Sequence, residues 1–128
     1  MKTKLLFIST VLSIAIICVG VIHEIATFTP LIQDGLESLS KSNFYAIMYM
    51  SLVCGASLIL SGWLLLLLLK KNETHTFLYF PILLISIFVL INGILSIILM
   101  VDNPFAWVVF GLGLSITVIT IKQRKALK

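Results

Sequence analysis

In this chain of 128 residues 60% are hydrophobic and 11% are charged, and the mean hydropathy is +1.19, so there is too little polar side chain to cover a small water-soluble domain. The net charge of +4 is carried by short basic clusters between long apolar runs. That pattern reads as a membrane-topology signal, gives no reason to expect nucleic acid, and predicts an all-α integral membrane domain over residues 1–128, with the lipid bilayer as its first partner.

The first predicted span covers about residues 5–28. Lys2 and Lys4 before an apolar run also resemble a signal peptide, yet no small-x-small site with a polar flank follows. A lipoprotein reading meets the bulky Ile17 where a small residue should precede Cys18, so the segment is expected to stay as a helix. Ser9, Ser13, Gly20, His23 and Thr27 share one stripe of that helix and Glu24 borders it. Pro30 is expected to end the span, and LIQDGLESL after it to form a short amphipathic piece on the outer surface.

The second span is predicted over 44–69, the third over 77–100 and the fourth over 105–121. About 20 helical residues cross a hydrocarbon core of about 30 Å. The fourth run is therefore short, but Trp107 and Lys122 suit interfacial anchoring at its two ends. Membrane helices gain no hydrophobic drive between them and meet where small side chains let their backbones approach. On that ground Gly20 in the first span, Ser51, Gly55, Ser57, Ser61 and Gly62 in the second, Gly93 beside Ser86 in the third, and Gly111 with Ser115 in the fourth are predicted packing positions. Cys18 and Cys54 fall inside spans and are expected to be packing thiols.

Eight of the nine Lys and Arg fall before span one, after span two or after span four, whereas Asp34, Glu37 and Asp102 fall in the other loops. The positive-inside bias predicts cytoplasmic termini and a four-helix transmembrane bundle running up-down-up-down, since short connections make successive helices antiparallel neighbours. The glycosylation triplet Asn72, Glu73 and Thr74 would then lie on the cytoplasmic side, where the modification does not occur.

Chemistry is sought at HEIAT, residues 23–27. Zinc proteases place two histidines four residues apart on a helix around a catalytic glutamate, but here Thr27 occupies the second ligand position and His75 falls in the opposite loop. No metal or other cofactor is expected. Glu24 is also the counterpart of the helix-one glutamate in small four-span multidrug transporters, which HEIATFTPLIQDGLE resembles; that resemblance implies a proton or cation site. Against it, Glu24 is predicted near the outer interface, away from the midplane, and the charge bias fixes one orientation where those transporters pair opposite ones.

The predicted ligand- or proton-binding candidates are His23, Glu24, Tyr45, Tyr49 and Asn92, all placed in the outer half, where clustered polar groups suggest an outward-opening pocket. No catalytic residue is assigned. The leading expectation is an accessory or binding membrane protein, alone, as a homo-oligomer or with a membrane-protein partner. A transporter subunit using Glu24 is the alternative, and an intramembrane enzyme using the His23 and Glu24 pair is the third reading.

Over most of its length, with Gly20 and His23 late in helix one, Thr29 and Pro30 after it, and Tyr49, Gly55 and Gly62 in helix two, the chain resembles a loosely defined group of uncharacterised bacterial four-helix membrane proteins. The resemblance implies a fold and no established activity; the expected location is a bacterial inner membrane.

Overall fold

A computed structural model describes residues 2–72 and 75–127. Glu73 and Thr74 of the glycosylation triplet and Lys128 of the basic tail lie outside the described residues. The elements are α1 (Lys2–Thr27), a one-turn α2 (Pro30–Gln33) followed by a 3₁₀ turn (Asp34–Leu36), α3 (Lys41–Asn72), a 3₁₀ turn (Thr76–Leu78), α4 (Tyr79–Leu99) and α5 (Pro104–Leu127). Within α1, α3, α4 and α5 lie four stretches long and apolar enough to cross a membrane, which makes the chain a multi-pass, all-helical membrane protein.

Local chemistry sets where the helices begin. Ser40 caps α3 by accepting a hydrogen bond from the Asn43 amide at 3.3 Å. At α5, Asn103 Oδ1 accepts from the Phe105 amide at 2.9 Å, and Pro104 takes the first helical position, where its missing N–H costs nothing. The indole of Trp107 then donates to the Val101 carbonyl at 2.8 Å, tying the α4–α5 connection down. Pro30 does not itself close α1. The helix stops at Thr27, Thr29 Oγ1 donates to the Ala26 carbonyl at 2.7 Å, and Pro30 opens α2 instead.

The closest helix pairs are α1 with α3 and α4 with α5, and α1 against α5 and α3 against α4 complete the bundle. Glycines set the two tight seams. Gly20 lies against Gly55 and Ile59, and Gly62 against the backbone of Ser13 and Ile17. Gly93 lies against the backbone of Phe110, and Gly113 against that of Leu90. In both seams residue numbers rise along one helix as they fall along its neighbour.

On α5 the close approach belongs to Gly113 and not to the expected Gly111. Gly111 faces open space and Ser115 is exposed, because a two-residue step turns the helix through about 200°. Ile16, Leu58, Val89 and Val109 meet at the centre, and the space they share with Val19 and Leu112 is too tight for water. Leu65, Leu69, Ile82 and Ile116 continue the same buried cluster.

Charge separates along the bundle. Gly62 beside Ser13 brings the α3 C-terminus with Lys70 and Lys71 to the α1 N-terminus with Lys4. Gln123 bonding to Ser9 brings Lys122 and Arg124 to that same end. Arg124 there stacks over the Tyr79 ring at 5.4 Å. Asp34, Glu37 and Asp102 lie in the connections at the opposite end.

Candidate functional site

His23 and Glu24 occupy the last turn and a half of α1, and the helix turns them toward different neighbours. His23 Nε2 lies 3.1 Å from Ser51 Oγ on α3. Ser51 Oγ lies 2.7 Å from Thr27 Oγ1, and Thr27 Oγ1 donates to the His23 carbonyl at 2.9 Å. Proton bookkeeping gives this ring a direction. The Thr27 hydroxyl has one hydrogen, used on the His23 carbonyl, so Ser51 donates to Thr27, and the hydrogen between His23 and Ser51 therefore comes from Nε2.

The result is a closed ring, His23 to Ser51 to Thr27 and back to the His23 backbone, that stitches α1 to α3. Phe105 at the start of α5 lies over the imidazole with ring centroids 4.9 Å apart and planes inclined by 31°. His23 thus touches two other helices at once. Thr27 is 1% exposed, so the ring is shielded on that side and its polar atoms satisfy one another.

Glu24 points along a different radius. Its Oε1 is buried with no hydrogen-bond partner among the described residues, and it packs over Gly55, where any β-carbon would collide with it. Cys54, next along α3, lies within electrostatic reach of the carboxyl. An unpartnered carboxyl oxygen is a costly group at this depth, and the absent side chain of Gly55 is what gives it room.

The remaining candidates stand apart from this cluster. Tyr45 and Tyr49 are exposed on α3, in the turns that precede Ser51 and so overhang the end of α1. Tyr45 meets Phe44 edge-on. Asn92 Nδ2 donates to the Phe88 carbonyl of its own helix at 3.0 Å. No hydrogen bond or ring contact among the described residues joins Asn92, Tyr45 or Tyr49 to His23 or Glu24. Nor, among those residues, do three His, Cys, Asp or Glu side chains gather as metal ligands. Cys18 and Cys54 are both free thiols.

Three polar contacts toward the basic end have no counterpart among the predicted sites. Gln123 Nε2 donates to Ser9 Oγ at 2.9 Å inside the bundle. Between α4 and α5, Thr117 Oγ1 reaches the Ser86 carbonyl at 3.0 Å and Thr120 Oγ1 lies 3.2 Å from Ser86 Oγ. Gln123 is hidden in the sequence by its basic neighbours in KQRK. The available signal was helical spacing, since Gly113, Thr117 and Thr120, and then Ile116, Thr120 and Gln123, recur at steps of three and four.

No protein-family model, no curated protein and no solved structure matches this chain at a significant level.

Proposed function

We propose that this chain is a small four-span membrane protein of the accessory or binding class, which works through its surfaces and carries out no catalysis. The observation behind this reading is the closed His23, Ser51 and Thr27 ring. It engages His23 Nε2 and the Thr27 hydroxyl, at the two ends of the most reactive-looking stretch, in holding α1 to α3, with Phe105 of α5 over the imidazole. The third reading, an acid and base pair, gains no support from this geometry, since His23 Nε2 bonds to Ser51 and no hydrogen bond among the described residues joins the imidazole to Glu24.

The same proposal takes the basic end of the bundle as cytoplasmic, with both termini there and the four helices crossing up-down-up-down, since Lys4, Lys70, Lys71, Lys122 and Arg124 gather opposite Asp34, Glu37 and Asp102. It also includes a bacterial inner-membrane location and kinship with the uncharacterised four-helix group. Exposed Tyr45 and Tyr49 at the outer end then suit an interfacial belt or contact with a membrane-protein partner or second copy.

One observation favours the transporter reading, the buried and unpartnered Oε1 of Glu24. Proton flux into vesicles containing wild type, Glu24→Gln or His23→Ala separates the two. The accessory reading expects wild-type flux no higher than in empty vesicles, and a lower thermal midpoint for His23→Ala. Flux in wild type that disappears in Glu24→Gln at equal protein level would establish transport instead.

A further inference from the structure

Three of the four neighbouring helix pairs are fastened. The α1–α3 seam has Gly20, Gly55, Gly62 and the His23 ring, and the α4–α5 seam has Gly93, Gly113 and the Ser86 contacts. Across α1–α5, the Ser9 and Gln123 bond and the His23 and Phe105 stack hold opposite ends. Among the described residues no hydrogen bond, ring contact or glycine approach joins α3 to α4, and this seam stands open as a lateral cleft of about 520 Å³.

We propose that this cleft is a binding site for the hydrocarbon chains of one membrane lipid. Its walls are Ser57, Leu60, Ser61 and Leu64 of α3 and residues such as Leu84 and Phe88 of α4, with no charged group among them. The two hydroxyls have no hydrogen left to donate to a polar ligand, because Ser57 donates to the Cys54 carbonyl at 2.8 Å and Ser61 to the Ser57 carbonyl at 2.7 Å. The walls come from the middle of both helices, level with the buried Leu58 and Val89, so the surrounding medium is hydrocarbon and a headgroup is not expected there.

Height argues against a partner helix. The wall residues span about seven positions on each helix, about 10 Å at 1.5 Å per residue, whereas a spanning helix must be met across about 30 Å. A flexible chain can fill a short pocket and continue along the outer surface. Left empty, the cleft would deprive its lining of packing contacts, and packing is the main attraction available inside a membrane.

The test uses full-length protein in vesicles of phosphatidylcholine carrying a photoactivatable diazirine in mid-chain, with labelled residues mapped by mass spectrometry. Labelling at Leu60, Leu84 and Phe88 is expected at least several-fold above that at Leu67 and Phe7, which are also exposed but lie outside the cleft. Leu84→Trp and, separately, Ser61→Phe should fill the cleft and abolish that excess while Phe7 labelling stays constant. Uniform labelling of wild type would overturn the proposal even if neither variant folds, as would an excess that survives both fillings. A cross-link between two copies mapped to the cleft would overturn it in favour of self-association.

Discussion

Two glycines of α5, separated by one residue, make opposite demands. A β-carbon at Gly113 would lie 2.7 Å from Leu90 Cα and 2.8 Å from Leu90 N, backbone atoms that can move only with the whole of α4, while at Gly111 it would meet nothing within 4 Å. Gly113→Ala is therefore expected to destabilise by about 1–3 kcal/mol, as overpacking does. Gly111→Ala should be neutral or slightly stabilising, since alanine is the better helix former. Thermal unfolding in detergent compares them, and equal effects would mean that the α4–α5 seam is not as close as described.

The His23 ring makes a second demand at this scale. His23→Ala and Ser51→Ala each break it, so a double-mutant cycle should show positive coupling of about 0.6 kcal/mol, and no more than about 1.7, the range for hydrogen bonds between membrane helices. Strict additivity would sink the ring. His23 was visible in the sequence as a polar residue in an apolar stripe. Ser51 and Thr27 were visible as stripe residues but not as its hydrogen-bond partners, because serine and threonine are frequent in such stripes and only the register of α1 on α3 brings the two together.

Among the elements, the four spans were readable to within a few residues, because hydrocarbon thickness dictates their length. Their ends were not, since a helix continues wherever backbone bonds can form and not only where side chains are apolar. The fourth span was expected to stop at 121 but α5 runs to Leu127, and the second was expected from 44 but α3 begins at Lys41 behind its Ser40 cap. The α5 start depends on Asn103, so Asn103→Ala should cost about 1 kcal/mol while Asn103→Ser keeps most of it. Equal losses in thermal midpoint for the two variants would show that the cap contributes little. Removing the cap also loosens the turn that carries Phe105 to His23.

For the whole molecule, the segregation of charge between the two ends has a direct consequence. In a background where Cys18 and Cys54 are replaced by alanine, Ser38→Cys should react with a membrane-impermeant maleimide on intact cells, and His75→Cys only after permeabilisation. The reverse pattern would invert the proposed orientation. The dry centre formed by Ile16, Leu58, Val89 and Val109 bears on function at this scale too. It separates the His23 ring from the Ser9, Gln123 and Ser86 contacts, so among the described residues no hydrogen bond links these two polar groups along the bundle.

Composition and charge order were enough to read an all-helical membrane protein with four spans, because hydropathy and span length are summed over a segment and do not depend on its neighbours. Glu24 was likewise noticeable at once as a carboxyl in an apolar run. Which neighbours each polar group meets depended on helix rotation and register. A 100° step per residue decides that Gly113 and not Gly111 enters a seam, that Asn92 bonds back to Phe88, that Gln123 turns inward from a basic tail, and that Glu24 settles over Gly55. The open α3–α4 cleft belongs to the same class of fact, since it arises from where three other seams are fastened and no single segment encodes it.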